Sequence, residues 1–209
     1  MNKNSSFHDS DILRKRVARE AAVLLYTSQE KEYKQAKDRA ARNLGAQVLP
    51  TNIEVAEELD LVSEENEGRS RQDHLIRMRK EALEIMSTLR VFSPKLVGSV
   101  WRGTVNRSSD IDITVYSLSY SQVVSSLQEK GFNIIKTEFI SGPIQKKAKD
   151  SFHITVSLSS GDEAEIVVRD PEEKTQKTKC EIYGDVVKGL DLNQLSKVLT
   201  EDPFKRFVP

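Results

Sequence analysis

The segment Leu96–Tyr116, LVGSVWRGTVNRSSDIDITVY, carries the features that decide the fold. A short apolar run ends at Gly98, and a run of alternating apolar residues begins after Asp110. Because successive residues of a strand point to opposite faces, Asp110 and Asp112 are predicted to share one face, about 7 Å apart. Two carboxylates so placed repel each other unless a cation lies between them. The spacing therefore predicts a site for a hard divalent ion such as Mg²⁺.

Gly98 and Ser99 stand where the first predicted strand ends. Glycine lets the backbone approach a ligand closely, and a strand-to-helix turn at this point would direct unpaired N–H groups at a phosphate. With the two aspartates, this stretch resembles the DNA polymerase β-like nucleotidyltransferase superfamily, and most closely its minimal, MNT-type members. The resemblance rests on seven positions at fixed offsets, which are Gly98, Ser99, Arg102, Gly103, Ser109, Asp110 and Asp112.

The resemblance implies an α+β fold, with a mixed sheet flanked by helices and preceded here by an all-helical N-terminal extension. It implies that Asp110 and Asp112 are catalytic residues that bind two Mg²⁺ ions, for which Mn²⁺ can substitute. Gly98 and Ser99 are implied to bind the triphosphate of an NTP, with ATP the expected donor. Arg102 is also implied to contact the nucleotide, and an ion pair between Arg102 and a nearby acid is an equal alternative.

The third carboxylate of such a site is expected on a hairpin spanning Phe152–Arg169. Seven apolar residues alternate along its two predicted strands and should share the core face: Phe152, Ile154, Val156, Leu158, Ala164, Ile166 and Val168. Glu163 and Glu165 then lie on the opposite face. The resemblance favours Glu165 as the residue that joins Asp110 and Asp112 in catalysis and metal binding. Glu163, nearer the turn, is the alternative.

Composition indicates a globular protein with a heavily charged surface. Lysine plus arginine (32) balance aspartate plus glutamate (32), so the chain is not a broadly basic nucleic-acid-binding protein, and any polyanion must bind a local patch. The single cysteine, Cys180, excludes an internal disulfide and is typical of a reducing compartment. No apolar run reaches the roughly 18 residues of a membrane span. These features predict a cytoplasmic protein without a membrane contact.

The first ninety-odd residues show mainly the sequence patterns of helices. We therefore divide the chain into a helical region, residues 1–92, and a nucleotidyltransferase domain, residues 93–209. Asp9 or Ser10 is the predicted cap of the first helix. Capping-box patterns at Thr27–Glu30 and Thr51–Glu54 predict the starts of the second and third helices. A fourth helix is predicted over about Arg71–Arg90, because its apolar residues recur at helical spacing.

Several other residues allow two interpretations. His153 shares the predicted strand face with Glu165 and either lines the site or is structural. Lys146, Lys147 and Lys149 precede the hairpin and either guide a phosphate-rich acceptor or belong to a solvated loop.

The sequence thus predicts a metal-dependent nucleotidyltransferase that transfers a nucleoside monophosphate to a hydroxyl group and releases pyrophosphate. An RNA 3′ end, a small molecule and a protein side chain all remain open as acceptors. The alternative is a non-catalytic module that keeps the fold and binds nucleotide or nucleic acid.

Overall fold

A computed structural model of the protein describes residues 3–141 and 150–209. The chain forms two compact units, which we call the helical unit and the sheet unit. The helical unit comprises the described residues of Met1–Arg71, Asn106–Ser108 and Cys180–Asp185. The sheet unit comprises the described residues of Gln72–Val105, Ser109–Lys179 and Val186–Pro209.

The helical unit is built from α1 (Lys3–Tyr26), α2 (Tyr33–Asn43), α3 (Asn52–Glu67) and the start of α4 (Arg69–Thr88). Small and branched apolar side chains form its core, and many are alanines that let helix backbones approach closely: Val17, Ala18, Ala21, Leu24, Ala36, Ala40, Ala41 and Val55. The capping box predicted at the start of α3 is confirmed, because the Thr51 N–H donates to Glu54 Oε2 over 2.7 Å and the Glu54 N–H donates to Thr51 Oγ1 over 3.2 Å.

The start of α1 was predicted at Asp9 or Ser10, and this is wrong because α1 begins at Lys3. The intervening residues are mainly polar, and their helix propensities fall below that of alanine by only a few tenths of a kcal/mol each. A helix that is already nucleated therefore extends through them.

The prediction that a capping box at Thr27–Glu30 starts the second helix is also wrong. The N–H groups of Gln29 and Glu30 both donate to the carbonyl of Leu24, over 3.0 and 3.2 Å. These residues therefore close the C-terminal end of α1, and α2 begins only at Tyr33.

The sheet unit contains a five-stranded mixed sheet with the order β1-β2-β5-β4-β3. Its strands are β1 (Lys95–Val97), β2 (Ile111–Tyr116), β3 (Asn133–Ile140), β4 (Ser151–Ser157) and β5 (Glu163–Arg169). Strands β2 and β5 are parallel, whereas β1 pairs with β2, and β4 with β3 and β5, in antiparallel fashion. The predicted hairpin of β4 and β5 is thus confirmed.

Helices α4, α5 (Gly98–Arg102), α6 (Tyr120–Glu129) and α7 (Leu192–Glu201) accompany the sheet, with 3₁₀ turns at Arg90–Phe92 and Pro171–Thr175. Residues from α4, α6 and α7 enclose the apolar sheet face in one core, which includes Met78, Ile85, Leu89, Ile111, Ile113, Val123, Leu127, Ile154, Ile166 and Leu195. The alternate residues of β2, β4 and β5 lie on the other face and are more exposed. The predicted α+β fold, with a mixed sheet, flanking helices and N-terminal helices, is confirmed.

Candidate active site

The turn between β1 and α5 brings the backbone against an acidic side chain. Gly98 follows β1 directly and begins α5 with φ +68°, a left-handed conformation that side-chain-bearing residues rarely adopt. A Cβ on Gly98 would lie 2.8 Å from Cγ of Asp112 and would overlap its carboxylate. Only glycine therefore lets the Asp112 carboxylate lie against the first residue of α5.

The sheet register places two of the predicted acids side by side. Asp112 on β2 pairs with Val97 on one side and with Glu165 on the other. Asp112 and Glu165 are both partly exposed, on the face opposite the core, because their strand neighbours are buried. Asp110 precedes the first residue of β2 and is exposed. The strand thus starts one residue after Asp110, later than predicted.

The three carboxylates interact electrostatically. Burial, followed by the negative charges of Glu165 and Asp110, raises the pKa of Asp112 from 3.8 to about 7. The charges of Asp112 and its two acidic neighbours are therefore mutually unfavourable, which is the condition that a bound cation relieves.

Glu163, the alternative third acid, lies two residues before Glu165 on β5, outside the paired register of β2 and β5. It pairs with Ser157 of β4, whereas the register between β2 and β5 starts at Ile111 and Ala164. Glu163 is exposed, and it shares the polar sheet face with Glu165 as the alternation predicted. The geometry therefore brings Glu165, rather than Glu163, beside Asp112.

His153 lies within hydrogen-bonding distance of the proposed third acid. Its Nδ1 is 2.8 Å from Glu165 Oε1, and its Nε2 is 2.8 Å from Ser151 Oγ. Of the two interpretations of His153, the structure therefore favours the one in which its side chain lies on the polar sheet face, beside the acidic residues.

Ser99 and Arg102 occupy opposite ends of the short helix α5. Ser99 is partly buried in the first turn, where its carbonyl accepts the N–H of Thr104 over 3.0 Å. The Arg102 side chain is buried, lies over the Trp101 ring at 4.4 Å, and donates from Nη1 to the carbonyl of Phe207 over 2.9 Å. The Arg102 guanidinium thus forms a hydrogen bond with the C-terminal segment. The contact of Arg102 with a nucleotide stays a prediction.

Arg79 on α4 is a further residue that supports α5, and sequence reasoning missed it. Its side chain is fully buried. The guanidinium donates to the carbonyls of Val100 and Trp101 in α5, over 3.1 Å each. It also donates to the carbonyls of Pro203 and Lys205, over 2.7 and 2.8 Å. Burial lowers the pKa of Arg79 to about 10, so the side chain is cationic at neutral pH.

The described acidic side chains do not form a ready-made set of metal ligands. Within residues 3–141 and 150–209, no group of three or more His, Cys, Asp or Glu side chains is already arranged to hold a metal ion. Three lysines for which two interpretations were open, Lys146, Lys147 and Lys149, lie outside the described residues. Among the described helices, none is both long enough and apolar enough to cross a bilayer.

Residues 76–188, more than half of the chain, match the model of the nucleotidyltransferase domain family. Among solved structures, Cid1 in complex with the UTP analogue UMPNPP is 19% identical over 46% of this chain and 31% of that chain, with a TM-score of 0.34. A cytoplasmic RNA terminal U-transferase is 17% identical over 56% of this chain and 34% of that chain, with a TM-score of 0.29.

The chain thus spans about a third of the length of these solved structures. No curated protein matches it. The family match covers the β1–α5 turn, both aspartates and the β4–β5 hairpin. The chain belongs to the nucleotidyltransferase domain family, as its signature predicted.

Proposed function

We propose that the protein is a metal-dependent nucleotidyltransferase, which transfers a nucleoside monophosphate from an NTP to a hydroxyl group and releases pyrophosphate. The observation that carries the proposal is the placement of Asp112, which lies against the Gly98 backbone and beside Glu165. This arrangement gathers acidic oxygens at the start of α5, where a metal-bound triphosphate can meet backbone N–H groups. Membership of the nucleotidyltransferase domain family supports the same reaction class.

Asp110, Asp112 and Glu165 are the residues that would hold two Mg²⁺ ions. Their oxygens are the ligand type that Mg²⁺ prefers. Burial, followed by the negative charges of Glu165 and Asp110, raises the pKa of Asp112. The bound ions would neutralise the triphosphate and promote ionisation of the acceptor hydroxyl. Mn²⁺, which also binds carboxylate oxygens, is the expected substitute.

The start of α5 would bind the triphosphate. The first N–H groups of a helix have no partner within the helix, and Val97, which precedes α5, makes no side-chain cap hydrogen bond to them. Ser99 would add its hydroxyl as a hydrogen-bond donor. Arg102 would add a positive charge at the C-terminal end of the same helix. Phosphoryl-type transfer depends mainly on such positioning and charge neutralisation.

The polar sheet face would receive the acceptor. The acceptor oxygen forms a bond to the α-phosphorus, the bond from that phosphorus to the pyrophosphate oxygen breaks, and the hydroxyl proton passes to Glu165 or to solvent. ATP is the donor we propose. RNA, a small molecule and a protein side chain are the acceptor classes to be tested. The single free cysteine, Cys180, is consistent with a cytoplasmic location, which we include in the proposal.

The experiment incubates the protein with Mg²⁺, each of the four labelled NTPs in turn and a panel of RNA, polyol and protein acceptors. Pyrophosphate release and labelled acceptor are both measured. The matched control is the double variant Asp110→Asn/Asp112→Asn, which keeps side-chain size while removing two negative charges.

We expect release with the unmodified protein, and its loss both in the double variant and after chelation of the metal. Equal release by both proteins would contradict the assigned site. No release with any NTP and acceptor, together with nucleotide binding, would instead support the non-catalytic binding module.

A further inference from the structure

A chain of hydrogen-bonding groups on the polar sheet face ends at the proposed third metal ligand. Ser151 Oγ lies 2.8 Å from His153 Nε2, and His153 Nδ1 lies 2.8 Å from Glu165 Oε1. The His153 side chain is 15% exposed and the Glu165 side chain is 39% exposed. The imidazole is therefore largely enclosed, while the carboxylate that it contacts still reaches solvent.

The register of the hairpin produces this contact. Glu165 pairs with Thr155, and His153 pairs with Val167, so the imidazole and the carboxylate occupy diagonal positions on one face of β4 and β5. Diagonal neighbours in an antiparallel pair lie within reach of long side chains. Ser151 is two residues from His153 on the same strand and thus shares the face.

The chemistry of the groups fixes the direction of these hydrogen bonds. An ionised carboxylate only accepts hydrogen bonds, so His153 Nδ1 must carry a proton to contact Glu165. In the neutral imidazole, Nε2 then accepts the hydroxyl proton of Ser151. The Ser151 contact therefore holds the ring in the orientation that presents Nδ1–H to Glu165.

Glutamate needs such support more than aspartate does. Its extra methylene adds a rotatable bond, and its terminal torsion is broad, so an unsupported carboxylate samples many orientations. Ligands in metal sites are commonly fixed by hydrogen bonds from outside the coordination sphere, whose loss weakens metal binding about 10–100-fold.

We infer that His153, held by Ser151, is a positioning residue that fixes the Glu165 carboxylate for metal binding. The inference rests on the proposed function, because it takes Glu165 as a metal ligand. It assigns His153 no contact with nucleotide, acceptor or metal.

The experiment measures binding of Mn²⁺ alone, without nucleotide, by isothermal titration calorimetry and by the loss of free-ion signal in electron paramagnetic resonance. The variants are His153→Ala, His153→Asn and His153→Gln. The asparagine amide can place an N–H near the position of Nδ1, whereas the glutamine amide reaches toward that of Nε2. His74→Ala is the matched control, because His74 Nε2 contacts a different acid, Asp162, over 3.1 Å.

We expect His153→Ala to weaken Mn²⁺ binding about 10–100-fold, His153→Asn to retain most of the affinity, and His74→Ala to leave it unchanged. Circular dichroism checks that each variant is folded. If His153→Ala does not fold, the asparagine and glutamine variants decide: stronger binding by the asparagine variant supports the inference, and equal affinities overturn it.

Failure of the inference and failure of the proposed function give different results. If Asp112→Asn abolishes Mn²⁺ binding while His153→Ala leaves it unchanged, His153 is not a positioning residue and the proposed metal site stands. If Asp112→Asn also leaves Mn²⁺ binding unchanged, or if the unmodified protein binds no Mn²⁺, both the metal site and the role of His153 are wrong.

Discussion

Asp112 and Glu165 are register partners on the adjacent parallel strands β2 and β5, although 52 residues separate them in the chain. Parallel pairing puts their side chains on the same sheet face, opposite the core. Burial is the larger cause of the raised pKa of Asp112, and the negative charges of Glu165 and Asp110 add to it, because neighbouring carboxylates repel each other in the absence of a cation. A cation bound by both carboxylates, as we propose, would relieve this repulsion.

Glu165→Gln tests the choice of the third carboxylate. The substitution keeps side-chain size and removes the charge beside Asp112. We expect pyrophosphate release to fall about 100-fold or more, the range found when a group that stabilises developing charge is removed. Glu163→Gln, on the same strand face, is the matched control and should leave the rate unchanged. The opposite pattern in the two variants would transfer the role to Glu163.

Gly98→Ala tests the close approach of the backbone to Asp112. The positive φ alone should cost about 1–3 kcal/mol, and overlap of the new Cβ with the Asp112 carboxylate adds to this and displaces the acid. Gly131→Ala is the matched control, because Gly131 has φ +80° with open space around its missing Cβ.

Urea unfolding and pyrophosphate release are measured for both glycine variants. Loss of stability in both, with loss of activity only in Gly98→Ala, is the expected result. Activity retained by a folded Gly98→Ala variant would show that Asp112 does not need this position.

Arg79→Met tests the buried guanidinium beneath α5. Four backbone carbonyls lose their donor, and each carbonyl left unsatisfied in the interior costs about 1–3 kcal/mol. We therefore expect the free energy of unfolding to fall by several kcal/mol. Arg77→Met on the same helix removes a more exposed ion pair with Asp162 and should cost at most about 1 kcal/mol. Equal losses in the two variants would contradict a supporting role for Arg79.

Stability of the helical unit should decrease in acid partly because of Glu54. Hydrogen bonding from the Thr51 backbone N–H, against an opposing effect of burial, lowers the pKa of Glu54 below its usual 4.5. A carboxyl with a lowered pKa in the folded state stabilises that state above the unfolded pKa, and the contribution is lost as the pH falls through the folded pKa.

Thermal unfolding is therefore followed by circular dichroism between neutral pH and strongly acidic pH. We expect Glu54→Gln to show a shallower loss of stability below about pH 4.5 than the unmodified protein. Glu57→Gln, at an exposed site on the same helix, is the control. Identical pH profiles for the unmodified protein and Glu54→Gln would contradict the prediction.

Much of the sheet could be predicted from local patterns. Alternation of Ile154 and Val156 with Ala164 and Ile166 identified the buried face of the hairpin and so the polar face that carries Glu165. Local alternation cannot show that β5 lies beside β2, because that pairing depends on contacts between distant segments. The family resemblance predicted that Glu165 joins the two aspartates, but not which strands pair.

Other features escaped sequence reasoning for identifiable physical reasons. The polar residues after Tyr26 fit the end of one helix as well as the start of the next, and bonds to Leu24 decide between them. No sequence pattern indicates that Arg79 is buried, because a charged residue on a helix is ordinarily solvated. The carbonyl groups that Arg79 contacts are also distant from it in the chain. The contact between His153 and Glu165 requires the exact diagonal register of the hairpin, which alternation alone does not specify.

The most direct measurement is a crystal structure of the protein with Mn²⁺ and a non-hydrolysable NTP analogue, in which anomalous scattering locates the metal. We expect Mn²⁺ bound to oxygens of Asp110, Asp112 and Glu165 at about 2.1 Å, with the triphosphate at the N–H groups of Gly98 and Ser99. A metal and triphosphate bound elsewhere, with these carboxylates free of any cation, would contradict the account.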